Sequence, residues 1–280
     1  MNARYKDSLS LVDTLGLTIQ EALIELQVLE MHAVGATWIE LIKNPGLIQE
    51  TANRSRYKRY LKQRLSGMPI PYIVGHKEFY GLNFFVNEHV LCPRQDTEVL
   101  VDSAIEIIKK YRLNTILELG TGCGAISVAI AKNEGGVHIT ALDISEEAIE
   151  VTKKNVRRAN VEASVEVISS NWFSNVTNTY DLIISNPPYI AEGDIHLNDK
   201  TLLHEPKIAL VSGVDGLDAI REIIVNSSRK LTRGGWLLFE HGHDQGLRCR
   251  DLLREADFSN VFTQVDLSGN ERVSGGTILL

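Results

Sequence analysis

The chain has 280 residues, 44% of them hydrophobic and 23% charged, a globular balance that excludes wholesale disorder and leaves room for two domains of unequal size. A formal charge of -7 argues against sequence-blind nucleic-acid binding as the main activity, and no apolar run approaches the length of a membrane span. Met1 to Asp7 is polar with no apolar segment behind it, and Cys92, Cys123 and Cys249 are scattered without C-x-x-C spacing. The expectation is a cytoplasmic protein without signal peptide, membrane contact, disulfide framework or zinc site.

Residues 1–70 predict a small helical domain. Thr18-Ile19-Gln20-Glu21 is a capping-box pattern ahead of Ala22, Leu23, Leu26 and Leu29 at helical spacing. Thr37-Trp38-Ile39-Glu40 repeats it for a short helix stopping before Pro45, and a longer helix from about Ile48 ends at Gly67, ahead of Pro69 and Pro71. That longer helix carries Arg54, Arg56, Lys58, Arg59, Lys62 and Arg64 with no acid among them. The run predicts a broad cationic surface interleaved with Tyr57, Tyr60, Leu61 and Leu65. It reads as a solvated face or as a docking face for an acidic or RNA-bound partner. Between 71 and 90, the segment Tyr72 to Val86 mixes aromatic and β-branched residues with Gly75 and Gly81, which predicts a hairpin linking two domains.

Residues 91–280 alternate strand and helix. Asp96 is placed to cap a helix running to about Tyr111; Thr115 to Leu119 is a buried strand entering the loop Gly120-Thr121-Gly122-Cys123-Gly124. A helix through Ala131, a strand Val137 to Leu142 ending at Asp143, a helix Glu146 to Arg158 and a strand Val165 to Ile168 follow. Asp181 to Ser185 is a strand opening onto Asn186-Pro187-Pro188-Tyr189. Helix Leu217 to Leu231, strand Trp236 to Glu240, helix Gln245 to Glu255 and strands Val261 to Val265 and Thr277 to Leu280 complete the series. The fold class implied is α/β, a doubly wound, mostly parallel sheet whose ligands sit at the carboxyl ends of its strands.

Three glycines in the five positions 120–124 allow a tight turn and close backbone approach to a ligand, and the following helix N-terminus offers free N–H groups. Asp143, at the end of the next strand, is suited to both hydroxyls of a ribose. A dinucleotide and S-adenosylmethionine both meet that description. The G-x-G-x-G spacing and Glu118 ahead of the loop, an acid suited to a charged amino group, tilt toward the methyl donor. Cys123 has no placed base and reads as a small residue against the cofactor. His241 and His243 lack a further ligand, so no metal is expected.

Asn186-Pro187-Pro188-Tyr189 is the sharpest feature of the chain. Its prolines stiffen the backbone and fix where the Asn186 side chain and the Pro187 carbonyl point. Two converging acceptors suit a planar –NH2 group, holding its nitrogen toward a methyl donor and stabilising the positive charge that develops there. Tyr189 is suited to packing flat on the planar target.

Glu118-Leu119-Gly120-Thr121-Gly122-Cys123-Gly124, Asp143 and Asn186-Pro187-Pro188-Tyr189 resemble the class I S-adenosylmethionine methyltransferases that modify planar amide or amino nitrogens. Tyr72-Ile73-x-Gly75, Glu78-Phe79-x-Gly81-Leu82, Pro93-Arg94-x-Asp96-Thr97-Glu98, Glu205-Pro206, Glu240-His241-Gly242 and Asn270-Glu271-Arg272-Val273 narrow the resemblance to the HemK-type release factor glutamine N5-methyltransferases. That resemblance implies a seven-stranded methyltransferase sheet and a helical N-terminal domain that contacts the release factor. It also implies the glutamine of a Gly-Gly-Gln motif in bacterial class-1 release factors as target, with a monomer expected and contact with ribosomal RNA left open. The cofactor contacts implied are Glu118, Gly120, Thr121, Gly122, Cys123, Gly124, Asp143, Asn171, Trp172 and Asn186. Asn186, Pro187, Pro188 and Tyr189 would hold the substrate, with Asn186, Pro187 and Tyr189 at the reaction. Asn171 stands where the family commonly has Asp, and Gln95 where proline is usual. The rivals are an adenine N6-methyltransferase acting on DNA or RNA, a nicotinamide-dependent dehydrogenase and a non-catalytic adaptor that retains a cofactor pocket.

Overall fold

The structure, a computed structural model, describes residues 3–279. Contacts divide them into two units, one running to His76 with Ile195–His204 added, the other comprising Lys77–Asp194 and the chain from Glu205 onward. The first unit is helical: α1 (Ala3–Leu15), α2 (Ile19–Val34), α3 (Trp38–Lys43), α4 (Thr51–Leu65) and α5 (Ile70–Val74). Both capping boxes form. Thr18 Oγ1 accepts from Glu21 N at 3.2 Å while Glu21 Oε2 accepts from Thr18 N at 2.8 Å, and Thr37 and Glu40 do the same at 3.3 and 2.7 Å. Leu11, Ala22, Leu26, Leu29, Ala33, Tyr57 and Ile73 form the core of this unit.

The cationic surface expected on α4 is smaller than the sequence implied. Arg64 is buried, donating to Glu25 at 2.7 and 2.9 Å, and Arg56 donates to Ala33 O at 2.6 Å and to Asn53. Tyr57 is buried with its hydroxyl on Asp7. Arg54, Arg56, Lys58, Arg59 and Lys62 remain exposed, so only Arg64 leaves the surface. The expected long helix also breaks: Leu47–Gln49 is a separate 3-10 turn, and α4 begins at Thr51. Ile195–His204 joins this unit through Lys200 Nζ on Thr14 O at 2.9 Å and His204 Nε2 on Ser66 O at 3.0 Å.

In the second unit, β1 (His76–Phe79) and β2 (Leu82–Phe85) pair as a hairpin, shorter than the expected Tyr72–Val86 because α5 occupies its start. The hairpin is built into this unit rather than left as a linker: the Asn155 amide accepts from Phe85 N at 2.8 Å and donates to Phe85 O at 2.9 Å. Then come α6 (Glu98–Tyr111), β3 (Thr115–Leu119), α7 (Ala125–Asn133), β4 (His138–Asp143), α8 (Glu146–Ala159), β5 (Val165–Ser169) and β6 (Tyr180–Ser185). The series ends with α9 (Asp218–Ser227), β7 (Leu231–Glu240), α10 (Gly246–Glu255), β8 (Ser259–Val265) and β9 (Glu271–Thr277).

The seven-stranded sheet has the order β5-β4-β3-β6-β7-β9-β8, parallel except that β9 runs against both β7 and β8. The Ile/Leu-rich β3 and β6 are buried throughout most of their length, as strands covered on both faces must be. Strand order reverses at β3, the switch point of such sheets. There Leu119 pairs in register with Leu142 on one side and Ser185 on the other, so Gly120, Asp143 and Asn186 emerge side by side.

Two predicted details are corrected. Asp96 sits inside a 3-10 turn, Gln95–Thr97, and its carboxylate meets Arg272 at 3.1 Å instead of capping α6. The closing strand is Glu271–Thr277 rather than Thr277 to Leu280, of which Leu280 lies outside the described residues. Gly275 explains the choice: a Cβ there would lie 2.5 Å from Leu238 Cδ2 and 2.7 Å from Leu237 O, so only glycine lets β9 close on β7.

Candidate active site

Five parallel strands each deliver a candidate group at their carboxyl end: Gly120–Gly124 after β3, Asp143 on β4, Ser170–Trp172 after β5, Asn186 after β6 and Glu240 on β7. All except Gly124 and Glu240 line one cavity of about 370 Å³, together with Thr97, Pro188 and the start of α9.

Gly120, Gly122 and Gly124 all take positive φ, between 57° and 81°. At Gly124 a Cβ would also lie 2.9 Å from Thr152 Cγ2, so backbone angle and space both require glycine there. The loop is tied down on three sides. Thr121 N donates to Leu142 O at 2.8 Å, Thr152 Oγ1 to Gly122 O at 2.8 Å, and Asn155 Nδ2 to Cys123 O at 2.8 Å. Asp143 stays beside it by accepting from Gly122 N at 2.8 Å and Ser145 N at 3.0 Å. Burial raises the Asp143 carboxyl, partly offset by those N–H donors. Burial also pushes the Cys123 thiol up to about 12, which keeps it protonated and agrees with a packing role.

Glu118 lies under the loop, buried. Its Oε2 accepts from Thr121 Oγ1 at 2.9 Å, Ser127 N at 3.2 Å and the Ser127 hydroxyl, whereas Oε1 has no hydrogen-bond partner among the described residues. Desolvation raises this carboxyl to about 7 against the pull of those donors. A buried, half-satisfied carboxylate oxygen on a cavity wall is matched chemically by an ammonium group. Trp172 crosses the far end with φ at 44°, an outlier for an aromatic residue. Ser170 Oγ, which donates to Trp172 O at 2.9 Å and accepts from Asn175 N at 3.0 Å, over-determines that turn. Asn171 is exposed beside it on the same wall.

Asn186 donates through Nδ2 to Thr97 Oγ1 at 3.1 Å. Among the substrate residues expected from sequence, Asn186 and Pro188 line the cavity, while Pro187 is buried behind it. Tyr189 is not on the wall either: its ring packs on the sheet core and its hydroxyl donates to Glu240 Oε1 at 3.1 Å, so flat packing on a target is not the arrangement seen.

Two family models match the chain, "PrmC N-terminal domain" over residues 12–75 and "Methyltransferase small domain" over 96–215. Relatives named release factor glutamine methyltransferase include one from Neisseria gonorrhoeae, 39% identical over 90% of this chain and 92% of the relative, and one from Pseudomonas aeruginosa, 42% identical over 86% and 84%. The chain belongs to the release factor glutamine methyltransferase family. Among solved structures, a Pyrococcus furiosus methyltransferase (TM-score 0.53, 18% identical, 73% of this chain and 92% of that one) shares its fold. So does a ribosomal protein L11 methylase from Lactobacillus delbrueckii subsp. bulgaricus (TM-score 0.51, 18%, 70% and 84%). The class I methyltransferase architecture is thus that of this family member too.

Sequence reasoning missed two side chains of this methyltransferase, Thr97 and Glu240. Both lie in segments that resemble the family, Pro93–Glu98 and Glu240–Gly242, yet neither segment suggested a role. Glu240 is buried, accepts from Tyr189, and is raised by desolvation to about 7 although hydrogen bonding to Thr97 and Tyr189 pulls the other way. His241 is absorbed structurally, meeting Ser274 Oγ at 2.9 Å and Gly242 O at 2.8 Å. Among the described residues no group of three or more His, Cys, Asp or Glu side chains is placed to hold a metal ion, and no helix is long and apolar enough to cross a membrane.

Proposed function

We propose that this chain methylates the N5 side-chain amide nitrogen of the glutamine in the Gly-Gly-Gln motif of bacterial class-1 release factors, using S-adenosylmethionine. The observation that carries the reading is the single cavity joining a glycine loop, two carboxylates and the Asn186-Pro187-Pro188 turn. The residues present fit the cofactor: Glu118 Oε1 offers an unmet acceptor to an ammonium group, and Asp143, Asn171 and Trp172 share its cavity, where Asp143 would hold the ribose and Asn171 and Trp172 the base. The backbone of Gly120, Thr121, Gly122, Cys123 and Gly124 would wrap it. When bound, it supplies an electrophilic sulfonium methyl and departs as S-adenosylhomocysteine.

Asn186 performs the central task. Its Nδ2 is engaged by Thr97, so Oδ1 is left to accept an N–H of the substrate amide. The Pro187 carbonyl takes the second N–H, and together these acceptors orient the nitrogen and stabilise its developing positive charge. Tyr189 supports the turn from behind through Glu240. The helical unit contacts the release factor, and the enzyme works in the cytoplasm as a monomer. The decisive experiment is mass spectrometry of an unmethylated release factor incubated with the protein and S-adenosylmethionine. One added methyl on the Gly-Gly-Gln glutamine is expected; methyl transfer to adenine instead would overturn the reading.

A further inference from the structure

We propose that the outward face of α4 is a docking surface for the phosphate backbone of RNA. The inference goes beyond the methyl-transfer site. Only the choice of RNA over DNA rests on the function proposed above, whose protein substrate acts in translation.

Helix α4 carries six basic residues and no acid. Tyr57 and Arg64 turn inward, and Tyr60, Leu61 and Leu65 pack on the core of the helical unit, which leaves five cations outside. Their spacing sets like charges against each other. Arg54 and Lys58, and Lys58 and Lys62, stand four apart; Arg56 and Arg59, and Arg59 and Lys62, stand three apart. Side chains at those spacings are neighbours on a helix, so each pair repels. No acid in the first turn complements the helix dipole either.

Other exposed helices neutralise such charges within themselves. Lys153 pairs with Glu150 on α8, Arg221 with Asp218 on α9 and Arg254 with Asp251 on α10. On α4, no carboxylate among the described residues pairs with Arg54, Arg56, Lys58, Arg59 or Lys62. Two of these cations are held in place all the same. Arg56 is fixed by Ala33 O and Asn53, and the Arg59 guanidinium lies over the Tyr60 ring, 5.1 Å from its centre. A face of repelling, unneutralised cations is stabilised by a ligand that brings a row of negative charges.

The chemistry of the face selects among polyanions. A helix that lies on a membrane exposes apolar side chains beside its cations, whereas those of α4 are turned into the core. The centre of a protein interface is poor in lysine and anchored by apolar side chains; in this unit those stand elsewhere, Ile24 on α2 and Ile39 and Ile42 on α3. Contacts to a phosphate backbone need only cations in a row. The stripe Arg54, Lys58, Lys62 is about 12 Å long, enough for about three phosphates of one strand.

The test is fluorescence anisotropy of a labelled single-stranded RNA of about 20 nucleotides, titrated with the full-length protein from about 50 to 200 mM salt. Binding is expected at the lower salt, with log K falling against log salt at a slope of about -2, as about three phosphates shed counterions. The combined variant Arg54→Gln, Lys58→Gln, Arg59→Gln, Lys62→Gln should lose about tenfold or more in affinity, and Lys58→Gln alone should flatten the slope by about 0.7. Because the combined variant relieves repulsion within α4, it should unfold at the same or a higher denaturant concentration, which separates a lost surface from a lost fold. Its kcat and KM for free release factor should stay within about threefold of the unsubstituted protein, as expected of surface substitutions away from the site. No RNA binding at the lower salt overturns the proposal, as does unchanged affinity in the combined variant. A raised KM for release factor with RNA affinity intact makes α4 a protein contact and overturns it too, and duplex DNA bound at least about tenfold tighter than RNA overturns the choice of RNA. If RNA binds as expected but no methyl reaches glutamine, it is the proposed function that fails.

Discussion

The two walls of the cavity are assembled in different ways. One wall comes largely from one stretch, Glu118 to Cys123, with Asp143 added by the neighbouring strand, and its shape is set by backbone at positive φ at Gly120 and Gly122. The wall around Asn186 depends on side chains 89 and 51 positions apart, in the pairs Asn186–Thr97 and Tyr189–Glu240. Backbone geometry is written into local sequence, because only glycine tolerates the angles required. Side-chain orientation is held by whatever the fold brings alongside. The first wall should therefore respond to steric changes at single positions and the second to changes in hydrogen-bond polarity.

The largest effect should come from the second wall. Asn186→Ala is expected to slow methyl transfer about 10²- to 10³-fold, the usual loss for one preorganised polar group, measured by mass spectrometry of the release factor. Near-normal turnover would remove Asn186 from the reaction and dissolve the contrast. Behind the first wall, Gly124→Ala forces a β-carbon into left-handed backbone at φ 81° and into Thr152. It should destabilise the protein by about 1–3 kcal/mol and weaken S-adenosylmethionine binding at least tenfold, read from denaturant unfolding and calorimetry.

Asp143→Ala removes the acceptor for Gly122 N and Ser145 N and is expected to weaken the cofactor about 10- to 100-fold, with a smaller loss of turnover at saturation. A gentler test uses pH. The Glu118 carboxyl is raised to about 7, so it becomes neutral as pH falls through that value and loses its attraction for an ammonium group. Affinity for S-adenosylmethionine should fall between pH 8 and 6, and Glu118→Gln should flatten that slope. Smallest of all, Cys123→Ala should leave turnover within about threefold, because a thiol held near 12 is no nucleophile at neutral pH.

Much of the architecture was legible because periodicity and punctuation agreed. Both capping boxes, the strand before the glycine loop, Asp143 at the next strand's end and the Asn186 turn all follow from local pattern. Where sequence reading fell short, a distant contact had the deciding weight. Helix α1 went unread because its polar start hides Leu11, which only α2 and α4 make a core residue. Arg64 reads as surface charge until Glu25 is placed beside it. Asp96 reads as a cap until Arg272 arrives. Tyr189 reads as a stacking ring until Glu240 claims its hydroxyl. Thr97 and Glu240 carry no local signature.

The sequence by itself determined the fold class, the family resemblance and the wall made of glycine backbone, because those depend on what each residue's own φ, ψ and hydrogen-bond inventory allow. Only the tertiary structure decided that Ile195–His204 joins the helical unit, that β9 ends in glycines closed against β7, and that Asn186 is held through Thr97. Those outcomes turn on space and hydrogen-bond partners supplied by remote segments, and such partners exist only once the chain has folded.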